Sequence, residues 1–333
     1  MKLLAISDLF IPKDMMQEGL SSLTSLGVDI EVREWKHDSL EMLQKDNLAV
    51  ELQGPDAVPV PEELFSGIET CDLLIVQFVP VNQAIIEKAE RLKLIGVLRG
   101  GRENIDPAAA ESRGIEVINT PGRNARAVAE FTLGLILSEI RNIARSHAAL
   151  KNGEWRKSFP NSEAIPELNE KTVGIVGFGN VGNLLAGYLK ALGCNILVYD
   201  EYTSVVPEPY RRVDKNTLLE QSDVVSLHLR LSEKTYHFID ADALRKMKPS
   251  AILVNTARSG LIDEKALVDC LKNNQVIGAA LDVFDVEPLT KSQEIVELDN
   301  LTITPHIAGS TIDAFRNSPR QIARYLMEKL KLY

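Results

Sequence analysis

Three ionisable residues late in the chain have the types that proton and anion chemistry needs. Arg258 stands in Asn255-Thr256-Ala257-Arg258-Ser259-Gly260, Glu287 precedes Pro288, and His306 stands in Thr304-Pro305-His306-Ile307-Ala308-Gly309-Ser310. Each follows an apolar run with strand character: Ala251–Val254, the stretch from Gly278 to Val286, and Leu301–Thr304. In open α/β sheets ligands bind outside the carboxyl ends of the strands, so all three can reach one crevice. Their types suit hydride transfer to a 2-keto acid. Histidine gives and takes the proton of the new hydroxyl, because its reference pKa lies near working pH. A carboxylate beside it fixes the ring tautomer and favours imidazolium. Arginine offers a planar fork to the acid's carboxylate and polarises the carbonyl. Singly, each residue reads as a surface ion pair, a turn residue or a loop cap. Together, behind a dinucleotide fingerprint, they read as one site.

That fingerprint is Gly177-Phe178-Gly179-Asn180-Val181-Gly182. The apolar run Val173–Val176 leads into it, a helix-forming stretch Leu184–Leu192 leads out, and Asp200 closes the next apolar run, Ile196–Tyr199. The first glycine permits a tight turn, the second lets the backbone approach a pyrophosphate, and the third lets helix pack on strand. The helix start aims free N–H groups and its positive dipole end at the phosphates. Asp200 lies 23 residues beyond Gly177, where a carboxylate accepts hydrogen bonds from ribose hydroxyls. It also repels a 2′-phosphate, which selects NAD over NADP.

The elements that must position these groups follow from the pattern. Residues 1–120 alternate between strand and helix: strands at Leu3–Ile6, Val28–Val32, Leu73–Val76, Leu94–Val97 and Val117-Ile118, helices at Met15–Leu26 and Gln83–Arg91. Residues 51–61 read as a loop, because their prolines prevent regular structure. Ala125–Lys151 reads as one long helix of about 40 Å that bridges domains or packs on a second subunit. Residues 155–169 read as irregular. From Lys171 the alternation resumes, with elements at 172–176, 180–192, 195–199, 223–228, 240–247, 251–254, 263–273, 276–281 and 301–304. A final helix, capped by Ser310 or Thr311, runs to the chain end. The fold class is α/β with two doubly wound parallel-sheet domains, a Rossmann-type cofactor domain and a flavodoxin-like substrate domain.

Bulk properties narrow the function. The 333 residues suffice for two cores, and 45% hydrophobic with 25% charged residues is a globular composition. A net charge of −10 argues against nucleic acid or an anionic membrane as partner. Cys71, Cys194 and Cys270 are far apart, without metal-ligand spacing, and fit reduced thiols in the cytoplasm. No metal site is expected. Met1–Ile6 is cut off by Asp8 and suits a first strand better than a signal peptide, and Glu130, Glu139 and Arg141 interrupt the apolar stretch Ala127–Ile140.

The ordered motifs resemble those of the D-isomer-specific 2-hydroxyacid dehydrogenases, most closely the phosphoglycerate dehydrogenase-like branch. They are Asn124–Glu130, Val173–Gly182, Asn255–Arg258, Leu281–Phe284 with Glu287-Pro288, and Thr304–Ile307. The resemblance covers nearly the whole chain. It implies that Arg258, Glu287 and His306 are substrate anchor, histidine partner and general acid/base. It implies cofactor contacts from Gly177, Gly179, Asn180, Val181, Gly182, Asp200, Thr256 and Ala257, with Asp282 on the nicotinamide carboxamide. It implies that the loop Arg99-Gly100-Gly101-Arg102 receives the substrate carboxylate on its backbone N–H groups, with Gly100, Gly101 and Arg102 joining Arg258 and His306 as substrate contacts. The substrate domain would be 1–120 completed by 308–333, the NAD domain 121–307, and the enzyme a homodimer through the long helix.

The chain also departs from that pattern. The loop Gln77–Asn82 lacks the cation that holds the phosphate in many phosphoglycerate dehydrogenases, so Arg102, Arg123 or Arg126 would have to replace it. Arg230 stands where the family often has proline, and Ser259 separates Arg258 from Gly260. The substrate class this leaves is phosphoglycerate, glycerate/hydroxypyruvate or a sugar acid. The alternative is a dehydrogenase-fold NAD sensor that recruits a partner. Formate oxidation is disfavoured, because that branch carries Gln at the place of Glu287. The remaining histidines, His37, His147, His228 and His237, read as structural or surface residues.

Overall fold

The computed structural model describes residues 1–161, 167–203 and 205–330. Residues 162–166 of the segment read as irregular, and the last three of the final helix, 331–333, lie outside the described residues. The chain divides into two compact units, Met1–Asn124 with the segment from Thr311, and Ala125–Ser310.

The first unit is built on five parallel strands: β1 (Lys2–Ser7), β2 (Asp29–Glu34), β3 (Leu73–Val76), β4 (Leu94–Val97) and β5 (Glu116–Asn119), in the order β2-β1-β3-β4-β5. Helices α1 (Lys13–Leu20), α2 (Leu40–Gln53), α3 (Gln83–Lys88) and α4 (Pro107–Ser112) connect them. The caps are local: Ser39, Asn82 and Asp106 each accept a backbone N–H three residues on. The helix expected over Met15–Leu26 is α only to Leu20 and tightens to 3₁₀ over Ser21–Leu26. The Ser21, Thr24 and Ser25 hydroxyls each bond the carbonyl three residues back, at 2.7 Å, which competes with the α pattern. Residues 51–53, expected in a loop, finish α2, which Gly54 ends at φ 87°. The C-terminal helix Ile312–Leu330 packs on α1, and Thr311 is its cap, accepting from Ala314 N at 3.1 Å.

The second unit opens with α5 (Ala125–Ile140) and α6 (Ile143–Lys151), where one long helix was expected. Asn142 breaks it at φ 55°, a left-handed conformation that asparagine tolerates. Arg145 and Asn161 hold the break by donating to the Glu139 carbonyl. The sheet is β6 (Thr172–Val176), β7 (Asn195–Tyr199), β8 (Arg211–Arg212), β9 (Val224–Leu227), β10 (Ile252–Asn255), β11 (Gly278–Leu281) and β12 (Leu301–Ile303), with α7 (Asn180–Ala191), α8 (Lys215–Gln221), α9 (Ala241–Lys246) and α10 (Glu264–Lys272) between. The order is β12-β11-β10-β9-β6-β7-β8, all pairs parallel. Successive β10 residues serve opposite faces: Leu253 joins one core, Ile252 and Val254 the other. Helix α5 buries Val128, Thr132, Leu135 and Ile136 within this unit.

No helix among the described residues is long and apolar enough to cross a membrane. Among them too, no His/Cys/Asp/Glu group is placed to hold a metal, and the three cysteines are buried free thiols.

Candidate active site

The fingerprint sits at the carboxyl end of β6, between β9 and β7, where the strand order reverses. Gly177 has φ +96°, and a Cβ there would stand 2.7 Å from the carbonyl carbon of His228. A Cβ on Gly182 would collide with the Gly177 carbonyl oxygen. Above Gly179 the space is open, with no atom within 4 Å of where a Cβ would be. Gly179 is also the N-cap of α7 and offers no side chain to the first-turn N–H groups. The two tight glycines shape a cradle, and the open one leaves its mouth free for a diphosphate. These residues fit NAD.

Asp200 is tied to the same loop. Its Oδ2 accepts from Phe178 N at 2.7 Å, and its Oδ1 from Tyr202 N at 2.8 Å and Thr203 N at 2.7 Å. Burial pushes this carboxyl up, but the three backbone hydrogen bonds outweigh it and hold the group below the usual carboxylate range. It stays ionised, and Oδ2 keeps a lone pair for a ribose hydroxyl.

Past β10, Asn255 brackets the turn that carries Arg258. Its Oδ1 accepts from Ala257 N at 3.0 Å and its Nδ2 donates to Arg258 O at 2.8 Å. The Thr256 hydroxyl lies 2.7 Å from that of Thr132 on α5. Thr132 gives its own proton to Val128 O at 2.6 Å, so Thr256 is the donor between them. Arg258 is exposed, and its Nη1 donates to Ala257 O at 2.7 Å.

Glu287 and His306 meet. Glu287 Oε2 lies 2.9 Å from His306 Nδ1, and Oε1 accepts from Phe284 N at 3.0 Å. A carboxylate only accepts, so Nδ1 carries the proton and Nε2 faces away from the pair. The backbone of His306 is left-handed, φ 53°. Asp282 holds that turn: Oδ1 accepts from Thr304 Oγ1 at 2.6 Å and Ile307 N at 3.0 Å, Oδ2 from Ala308 N at 2.8 Å. Its carboxylate is fully buried behind the histidine loop and positions the His306 turn.

In the other unit, the loop after β4 is arranged around charge pairs. Arg99 is buried, 3.1 Å from Glu103 and 3.4 Å from Glu51, and lies over the Phe78 ring at 3.9 Å. Gly100 faces open space, whereas the Glu103 carboxylate lies against Gly101. Arg102 is exposed and reaches Val117 O at 3.4 Å. Arg123 lies over Phe315 and bonds Ser318, and burial, then the Arg99 charge, pushes it down to about 10. In the second unit Arg126 bonds Tyr188 Oη at 3.3 Å. His228 bonds Ser226 Oγ at 2.9 Å, and burial pushes its imidazole down to about 4.

Asn255 and Thr304 are further positioning residues that spacing along the chain does not single out. The one available signal was a polar residue closing an apolar strand, which is too common to single either out.

Residues 133–308 match the profile of the D-isomer specific 2-hydroxyacid dehydrogenase NAD binding domain. A glyoxylate reductase of Thermofilum pendens is 39% identical over 299 residues, 88% of this chain and 88% of that one. A hydroxypyruvate reductase of Thermotoga maritima is 41% identical over 272 residues, 81% of this chain and 87% of that one. A solved structure of D-2-hydroxyisocaproate dehydrogenase matches with TM-score 0.76 and 26% identity, covering 99% of this chain and 97% of that one. The parallel sheet, its glycine cradle and this likeness along most of the sequence have one explanation: the chain belongs to the D-isomer-specific 2-hydroxyacid dehydrogenase family, NAD-dependent oxidoreductases.

Proposed function

We propose that this NAD-dependent dehydrogenase reduces a small 2-keto acid of the glyoxylate or hydroxypyruvate kind, with Arg258, Glu287 and His306 as its catalytic residues. The observation that carries the reading is the Glu287–His306 pair, 2.9 Å apart, on the sheet edge that also bears Arg258. NAD(H), when bound, supplies or accepts the hydride. His306 Nε2 delivers the proton to the carbonyl oxygen and takes it back in the reverse direction. Glu287 keeps Nδ1 protonated and stabilises the imidazolium. Arg258 binds the carboxylate and polarises the carbonyl, free of any carboxylate partner among the described residues. Residues 125–310 form the NAD domain in this reading. The other unit supplies the Gly100–Arg102 loop for the acid. Of the three cations that could replace the one missing from the loop Gln77–Asn82, Arg102 reaches Val117 O, Arg123 lies over Phe315 and bonds Ser318, and Arg126 bonds Tyr188, which supports an unphosphorylated substrate.

The enzyme in this reading is a cytoplasmic homodimer. Its contact face is α6 and the segment after it, where Ile143, Leu150 and Trp155 are 55%, 57% and 78% exposed. Helix α5 contributes less, because its apolar side is already in the core.

The test is NADH and NADPH oxidation against glyoxylate, hydroxypyruvate, pyruvate, 2-ketobutyrate and 3-phosphohydroxypyruvate. Turnover of one of the first two with NADH supports the reading. Preference for the phosphorylated acid overturns the substrate class. No turnover with NADH binding intact favours the sensor role. Light scattering at a protomer or dimer mass decides the assembly.

A further inference from the structure

Arg230 has no place in the chemistry above, yet it stands at the centre of the cofactor sheet. It lies three residues past the end of β9, the strand beside β6. The chain between them rests on the fingerprint: His228 N donates to Val176 O at 2.7 Å. The carbonyl of His228 and the N of Leu229 stand 2.7–2.9 Å from where a Gly177 Cβ would be. On the other side the loop packs on the Arg258 turn. His237 N donates to Gly260 O at 2.8 Å, and Leu231 stands 3.1 Å from where a Gly260 Cβ would be. Strands β9 and β10 pair Leu227 with Asn255, so Arg230 and Arg258 are equally far past the edge.

The guanidinium of Arg230 is exposed and has no hydrogen-bond or ion-pair partner among the described residues. Most other arginines of this unit are engaged: Arg145 with Glu139, Arg156 with Asp299, Arg245 with Asp242, Arg212 with Asp200 O. An unpaired cation in a chain of net charge −10 is a local reversal of the overall field.

Position along the sheet selects its ligand. Asp200, after β7, marks the adenosine side of the cofactor site. Thr256 to Arg258, after β10, mark the nicotinamide side. The diphosphate joins these halves and crosses at β6 and β9, over the open Gly179 and the start of α7. We infer that Arg230 is a second arm of the diphosphate cradle, a charged side chain facing the backbone N–H groups of Gly179 to Gly182 across the cofactor's two phosphates. This rests on the NAD reading of the fingerprint. It assigns Arg230 to cofactor affinity and leaves the acid to Arg258.

The experiment is direct titration without keto acid: NADH by fluorescence and ADP-ribose by calorimetry, at low and high salt, on wild type, Arg230→Ala, Arg230→Gln and Arg230→Lys. ADP-ribose carries the diphosphate without the nicotinamide. The alanine and glutamine variants are expected to bind both ligands about tenfold more weakly at low salt, the effect of one exposed charge-assisted hydrogen bond. Their salt dependence should be flatter, and lysine should recover part of the loss. Melting curves matching wild type show that the fold is intact; Arg230→Lys keeps the test available if alanine disturbs it. Affinities within twofold of wild type for both ligands overturn the inference, and a raised keto-acid KM in that case moves Arg230 to the substrate. If wild type binds neither ligand, the NAD reading itself falls.

Discussion

Glu287 and His306 are 19 residues apart in sequence, yet Oε2 and Nδ1 are 2.9 Å apart, and Phe284 N holds the second oxygen of the carboxylate. The pair is therefore oriented from both ends. The ring is fixed by Glu287, and its turn by Asp282. Replacing Glu287 with Gln keeps a hydrogen bond but removes the charge that favours imidazolium. Reduction should slow by about 10²-fold with NADH affinity unchanged, and His306→Asn should lose at least as much. Steady-state kinetics beside NADH titration checks both; wild-type turnover of His306→Asn excludes His306 as proton carrier, and that of Glu287→Gln excludes a role for the carboxylate charge.

Asp282 accepts three hydrogen bonds behind that ring. Asp282→Ala leaves the buried Ala308 N–H without a partner and frees the Ile307 N–H and Thr304 hydroxyl, which costs about 1–3 kcal/mol. Thermal melting should show the loss, and kcat should fall because the His306 turn is released. An unchanged melting temperature would mean that the turn is held by other contacts.

The glycines of the fingerprint should separate folding from binding. Gly182→Ala forces a Cβ onto the Gly177 carbonyl and should destabilise the domain. Gly179→Ala meets nothing within 4 Å and should fold normally. It fills the space a diphosphate needs, so NADH affinity should fall at least tenfold while the melting temperature stays put. Equal behaviour of the two variants would contradict the cradle.

Asp8 gives a pH signature in the first unit. Burial raises its carboxyl to about 6, against lowering by the Ile11 and Phe10 N–H groups and by His37 and Arg123. The folded chain therefore holds the proton between about 4 and 6 when the unfolded chain has released it. Stability from this group is present below that window and lost as pH rises through it, by up to about 3 kcal/mol. Both N–H bonds end on Oδ1, at 2.9 and 3.0 Å, so Asp8→Asn preserves them. The variant should melt higher than wild type at pH 8 and at the same temperature at pH 4.

His228 acts in the opposite direction. Its folded value of about 4 lies below the ordinary 6.5, so the unfolded chain takes the proton first as pH falls. Stability is full above about 6.5 and lost as pH drops towards 4, again by up to about 3 kcal/mol. Denaturant titrations of His228→Gln should lose this acid-side slope; an identical slope would mean that the ring does not titrate.

Much of this protein is local, and local features were legible. Apolar runs between turn formers give the strands; Ser39, Asn82 and Asp106 cap helices through a neighbour three residues on. The glycine spacing and the acid after the next strand determine dinucleotide binding, because those residues act within one β-turn-α-β unit. Long-range packing decided the rest. Asn142 turns left-handed where periodicity continues, because Arg145 and Asn161 capture the last carbonyls of α5. Asp282 lies behind His306 because β11 and β12 are neighbours, and the His228-Leu229 turn lies against the fingerprint because β9 inserts next to β6. Strand order depends on which faces bury one another across the whole domain, and residue spacing along the chain carries no record of that choice.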